Sequence, residues 1–160
     1  MDEYEILHLT AAHPRYADVI LRAAADPVLT AALWEDGAIR WELDGTRPDD
    51  DVTTWTVVLA AGTSEIMAMA AWRLTMVDGE LSALCRAHHH VRAHRDYPWF
   101  GVAFIARELT IGHLPAVGWV YDEPEPLFAA AGYREVASAP TTERDLPVRT
   151  WHEMRRGPRV

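Results

Sequence analysis

A mixed, mainly antiparallel β-sheet with helices on both faces, in the α/β (α+β) class, is the architecture this 160-residue sequence predicts. Three observations predict it. Apolar, β-rich runs at 55–61, 66–76 and 81–87 are separated only by Gly62-Thr63-Ser64 and by Asp78-Gly79, so they read as consecutive hairpin strands. A stretch of helical periodicity then leads from the third of these to Ala116–Tyr121, which makes those two strands a parallel crossover pair. Two further strands close the chain around a short helix that stops at Gly132. The expected order is β-α-α-β-β-β-α-β-α-β-β in a single domain spanning 1–160.

Each element has a local reason. Tyr4–Leu9 alternates loosely as a first strand. Pro14 suits a first helical turn, and Tyr16, Val19, Ile20 and Ala23 fall on one face of a helix over 14–25. Asp26-Pro27 starts a second helix through Leu29, Ala32 and Leu33, followed by a polar loop over 44–52. Asp96 caps the long helix, with Pro98 in its first turn. Trp99, Val102, Ala103, Ala106 and Leu109 are its expected apolar face, Arg107 and Glu108 are expected to look out, and Gly112 to end it. Pro126–Ala131 is the short helix, and 134–138 and 148–154 are the last strands.

Composition narrows the function. Apolar residues at 49% and charged residues at 24% describe an ordinary soluble domain. A net charge of −9 argues against nucleic acid as partner, because non-specific binding needs a basic surface. The arginines Arg86, Arg92 and Arg95 nevertheless gather in one window, which suits a small anionic ligand. A single Cys85 forms no internal disulfide, and no signal peptide or membrane-length apolar run is present, so the expected location is the cytoplasm, away from membranes. Seven tryptophans read as core filling, with an aromatic-lined pocket or a homodimer face as the alternative.

The run Leu127-Phe128-Ala129-Ala130-Ala131-Gly132-Tyr133-Arg134-Glu135-Val136 resembles the late signature of the Gcn5-related N-acetyltransferase (GNAT) superfamily: leucine, tyrosine, three residues, glycine, aromatic. The element order resembles that family over nearly the whole chain, and the residues do so over 81–154. The resemblance implies a GNAT-like sheet, acetyl-CoA or another acyl-CoA as cofactor, and transfer of the acyl group to a small-molecule amine. It also implies that the loop before the long helix holds the coenzyme A pyrophosphate. There the family's Arg/Gln-x-x-Gly-x-Gly/Ala is replaced by Arg92-Ala93-His94-Arg95-Asp96-Tyr97-Pro98-Trp99-Phe100-Gly101. Arg92, Arg95, Tyr97 and Gly101 are the expected cofactor contacts, with side chains standing in for lost backbone donors. Phe128 stands where many members carry a tyrosine that protonates the departing thiolate, and a phenyl ring donates no proton.

Four of the eight histidines, His88, His89, His90 and His94, lie in this same window. Imidazole titrates near neutrality, so His88 and His90 are the candidate acid–base groups, opposed to a solvated polar loop as the plain alternative. Glu80, before the central strand, is a candidate base by the family resemblance, and Tyr121, at the end of a parallel strand, a candidate proton donor. Cys85 reads as a small buried apolar residue. The histidines lack the matching carboxylate or thiolate spacing of a native metal site. Two other readings remain: acid–base chemistry of the lyase, isomerase or dehydratase type on this scaffold, and a binding module without catalysis.

Overall fold

A computed structural model of the chain describes residues 3–25, 53–63, 65–90, 99–121, 126–140 and 150–159. The expected second helix, the polar loop over 44–52 and the arginine-bearing loop before the long helix lie outside these residues. The described strands are β1 (Tyr4–Leu9), β2 (Thr53–Ala60), β3 (Ile66–Val77), β4 (Glu80–His90), β5 (Ala116–Tyr121), β6 (Arg134–Pro140) and β7 (Thr150–Arg156); the helices are α1 (Tyr16–Ala25), α2 (Trp99–Ile111) and α3 (Pro126–Ala130). They form one seven-stranded sheet in the order β1-β2-β3-β4-β5-β7-β6, in which β4–β5 is the parallel pair and every other pairing is antiparallel. Among the described residues no helix is long and apolar enough to cross a membrane.

The meander follows from its turn chemistry. Asp78 and Gly79 both adopt positive φ (51° and 80°), the twist that joins two strands through a two-residue loop. Arg155 reaches from β7 to the Asp78 carboxylate at 2.8 Å. Asp78 is largely solvated and Arg155 partly so, and Arg155→Met is expected to change stability by less than about 1 kcal/mol in urea denaturation.

Alternation along the strands divides the core between the two faces of the sheet. Trp55, Val57 and Leu59 of β2, with Leu9, Met69 and Ala71, meet Val19, Ile20 and Ala23 of α1 on one face. The expected stripe on α1 is therefore the buried one, and Val19 and Ile20 contribute roughly 1.5–3 kcal/mol each. On the other face Val58, Met67 and Ala68 lie under Ala103 of α2, while Ala83, Cys85, Ala116 and Met154 pack with Phe104, Ile111, Phe128 and Tyr133.

The long helix is rotated from the expected orientation. Leu109 is 80% exposed, whereas Arg107 and Glu108 are 0% and 3% exposed. The rule that charges face water fails here because these two side chains find ionic partners inside the protein, as described below. Gly112 also differs: it is not among the positive-φ residues. A Cβ there would lie 2.9 Å from the Glu108 carbonyl oxygen, so close backbone approach, not a left-handed cap, requires glycine. Gly132 does adopt φ 93°, and Tyr133 N–H returns to the Phe128 carbonyl at 2.9 Å, which closes α3 as expected.

Candidate functional site

Strand β4 builds the centre of the site. It continues to His90, so His88, His89 and His90, expected in a loop, belong to the strand, while His94 lies outside the described residues. The ladder explains why: His88, His89 and His90 pair with Ala70, Met69 and Ala68 of β3, and their backbone groups are held there. Register shifts between Ala71↔Arg86 and Ala70↔His88, which leaves Ala87 as an unpaired bulge residue.

The other edge of β4 separates from its neighbour. Parallel pairing to β5 covers only Ala83↔Ala116, Leu84↔Val117 and Cys85↔Gly118. Beyond Gly118, β5 stays with β7 through Tyr121↔Trp151, while β4 stays with β3 through His90↔Ala68. The two central strands therefore diverge from an apex at Cys85 and Gly118. A wedge whose walls are unpaired strand edges offers backbone donors and acceptors to an extended ligand. His88 and Tyr121 each stand three residues past the apex, one on either arm.

Phe128 closes the apex on the α2–α3 side. A Cβ on Gly118 would meet Phe128 Cε1 at 3.2 Å and Cys85 Cβ at 3.6 Å, so this glycine is needed for close packing. Phe128 is fully buried, with ring centroids 5.0 Å from Phe104 and 5.1 Å from Tyr133 in edge-to-face contact. The nearby phenol is not free to give up its proton. Tyr133 O–H donates to Glu108 Oε1 at 2.6 Å, and burial, reinforced by Cys85, raises its pKa far above the ordinary tyrosine value. With that proton committed, the Cys85 thiol, 3.9 Å away, is the donor to the Tyr133 oxygen. Cys85 is 0% exposed and burial pushes its pKa up, in keeping with a packing role.

Behind the aromatic trio lies a charged cluster that sequence reasoning missed. Glu108 Oε2 accepts from Arg156 Nε at 2.8 Å and from Arg159 Nη2 at 2.7 Å, while Oε1 accepts from Tyr133 and from Arg107 Nη2 at 3.3 Å. Arg156 Nη1 and Nη2 also donate to the carbonyls of Leu114 (2.7 Å) and Ile111 (3.4 Å), which occupies acceptors at the end of α2. For Arg107 burial opposes the charge, but Cys85, Tyr133 and Glu108 outweigh it and the pKa is raised. The signal in the sequence was adjacency: Arg107-Glu108 interrupts an apolar helix whose other charged neighbours are absent, and arginines recur at 155, 156 and 159.

The remaining expected residues fall as follows. Gly101 is in the first turn of α2, where backbone N–H groups have no intrahelical partner. Glu80 is exposed at the hairpin end of β4, eight residues from His88, or about 26 Å of strand at ~3.3 Å per residue. It stands at the opposite end of the strand from the wedge. Arg92, Arg95 and Tyr97 lie outside the described residues. Of the seven tryptophans, Trp34 and Trp41 also lie outside the described residues, while the Trp72 indole N–H donates to Thr56 Oγ1 at 3.1 Å. No group of three or more metal-ligating side chains occurs among the described residues.

Solved structures share this overall fold. Escherichia coli ElaA matches with a TM-score of 0.58 at 15% identity, covering 98% of this chain and 99% of that one. An aminoglycoside 6′-N-acetyltransferase complexed with coenzyme A matches with a TM-score of 0.58 at 12% identity, over 98% and 99% of the two chains. A GNAT family acetyltransferase from Elizabethkingia anophelis with acetyl-CoA bound matches with a TM-score of 0.51 at 15% identity, again over 98% and 99%. No family model matches the sequence, and no curated protein matches it. At these identities the likeness is one of fold: this chain has the fold of the GNAT acetyltransferases.

Proposed function

We propose that this chain is an acyltransferase that moves an acetyl or other acyl group from acyl-CoA to a small-molecule amine. The observation that carries the reading is the divergence of β4 and β5 beyond Cys85 and Gly118. An extended pantetheine chain fits such a wedge, with amide groups that bond to unpaired strand edges. Coenzyme A and acetyl-CoA are bound by two proteins of the same fold, which supports this cofactor. The anionic pyrophosphate belongs at the start of α2, where Gly101 allows close approach and the helix end is electropositive. Arg92, Arg95 and Tyr97, in the segment just before that helix, supply the side-chain contacts.

The chemistry requires two proton movements. The neutral amine attacks the thioester carbon, the C–N bond forms, the C–S bond breaks, and the amine proton leaves as the thiolate gains one. His88 or His90, on the β4 arm, accepts the amine proton. Tyr121, on the β5 arm, donates to the thiolate. Phe128 and Tyr133 take no part, because one lacks a hydroxyl and the other is committed to Glu108.

Thermal unfolding with increasing acetyl-CoA tests the reading. Stabilisation should grow with ligand and reach about 2.7 kcal/mol at a hundredfold excess over Kd. No shift at millimolar acetyl-CoA removes acyl-CoA from the proposal. If binding is seen, Arg92→Ala with Arg95→Ala should weaken it about tenfold or more, and unchanged affinity would move the pyrophosphate elsewhere. His88→Ala and His90→Ala should retain acetyl-CoA binding, and at least one should lose most acyl transfer.

A further inference from the structure

The outer side of α2 is built without surface charge. The helix has only two charged side chains, Arg107 and Glu108, and both are buried in the ionic cluster. Its outward stripe is Val102, Ile105, Ala106 and Leu109, spaced at three and four residues, with Ile105 and Leu109 exposed. A surface helix ordinarily turns a polar face to water, and a helix that is apolar all round is normally covered. α1, on the other face of the sheet, keeps the ordinary pattern: Asp18 and Arg22 pair on its surface.

The β3–β4 hairpin extends this apolar side. Leu74 stands opposite Ala83 and Met76 opposite Leu81, and Ala83 packs in the core cluster that includes Ile111 at the end of α2. Alternation puts all four strand residues on the α2 side of the sheet. The helix stops near the row of Leu74 and Ala83, and Leu74, Met76 and Leu81 are left exposed beyond it. On β1, Ile6 faces the same way, opposite Val58, which lies in the cluster under α2; Tyr4 follows two residues along. Of the nine large apolar side chains exposed among the described residues, these seven lie on one side of the sheet. The rim is polar: Asp78 stands at the hairpin turn and Arg159 beside Gly112, just past the helix. An apolar centre with a charged rim is the anatomy of a protein interface.

We propose that two copies of this chain pair through this face, with Ile105 and Leu109 at the centre and the hairpin residues Leu74, Met76 and Leu81 at the flank. Charge selects a second copy as the occupant. Each chain carries a net −9, so two copies repel over most of their surface, and the face with no charged side chain at its centre is where they approach at least cost. That centre offers a charged partner nothing to pair with, whereas it matches itself: across a two-fold axis each apolar ridge meets the same ridge of the other copy. Its length also fits. α2 is about 20 Å long at 1.5 Å per residue, and the hairpin from Leu74 to Val77 adds about 10 Å. A standard interface of about 800 Å² per partner is roughly 30 Å across. The pairing does not rest on the acyltransferase reading.

Sedimentation equilibrium of the intact protein, from low to high micromolar concentration, tests it. The expected result is a reversible dimer that added salt does not weaken, because no ion pair lies at its centre and screening relieves the repulsion between the copies. Leu109→Lys should raise the dimer Kd on the order of a hundredfold, since the change enters a two-fold interface twice. The side chain is exposed in the single chain, so the circular-dichroism spectrum should stay the same. The added lysine also lowers the net charge, so a weaker dimer would not come from greater repulsion. Should Leu109→Lys not fold, Met76→Lys at the flank carries the same expectation of a weaker dimer. Leu21→Lys, exposed on α1, should leave Kd unchanged. A monomer at every concentration, a dimer untouched by Leu109→Lys, or a dimer lost equally with Leu21→Lys would overturn the proposal. So would a monomer that binds neutral phosphatidylcholine vesicles through Leu109, which would give the face to a membrane. Acetyl-CoA binding is measured separately, and its failure would count against the acyltransferase reading and leave the dimer standing.

Discussion

Glu108→Gln is expected to destabilise the protein by about 3–5 kcal/mol, the scale of removing one partner from a buried ionic cluster. The carboxylate balances Arg107 and Arg156, both fully or nearly fully buried, and accepts the Tyr133 hydroxyl. A neutral amide has the shape but not the charge, and its NH2 group would confront an arginine or the phenol. Two buried guanidinium groups would keep their desolvation cost without their counter-ion. At ~2–4 °C per kcal/mol for a domain of this size, the fall in Tm is on the order of 10 °C. Thermal unfolding followed by circular dichroism reads it directly, and a change of less than ~1 kcal/mol would mean that Arg156 is held mainly by the carbonyls at the end of α2. Tyr133→Phe in the Glu108→Gln background separates the phenol bond from the ion pairs. The double-mutant cycle should show coupling between them, because both bonds end on one carboxylate.

Phe128→Ala is the second large effect, also expected at about 3–5 kcal/mol. The ring is packed between Phe104, Tyr133 and the backbone of Gly118. Its loss would also free Tyr133 to shift and so loosen the hydrogen bond to Glu108. Phe128→Leu should retain part of the stability, as a volume-conserving exchange does. If Phe128→Ala costs less than ~1 kcal/mol, the apex of the wedge is less tightly packed than the 3.2 Å approach at Gly118 implies. The same position bears on function: a phenyl ring at residue 128 has no proton to give a leaving thiolate.

Much of the fold was legible because its cues are local. Asp78-Gly79 specifies a two-residue turn through the positive φ of both residues, and Gly132 specifies the end of α3 in the same way. The stripe of Val19, Ile20 and Ala23 follows from helical spacing alone. The cues failed where a long-range partner changed the meaning of a residue. Arg107 and Glu108 read as solvent-facing until Arg156 and Tyr133 arrive from strands and turns far along the chain. His88–His90 read as a polar loop because histidine has no strong strand preference, whereas pairing with Ala68, Met69 and Ala70 holds them in the sheet. Glu80 and His88 belong to one strand, which holds them near its two ends.

By itself, then, the sequence determined the kinds of element, their order, the hairpin at 78–79 and the aromatic that follows Gly132, since each depends on side-chain pattern and backbone conformation within a few residues. Tertiary structure alone decided that β4 and β5 part beyond Cys85 and Gly118, and that a carboxylate and two arginines are buried behind the apex. The physical reason is that burial and hydrogen bonding are properties of pairs. A side chain's charge, tautomer and exposure are set by the group it meets, and that group is chosen by the path of the whole chain.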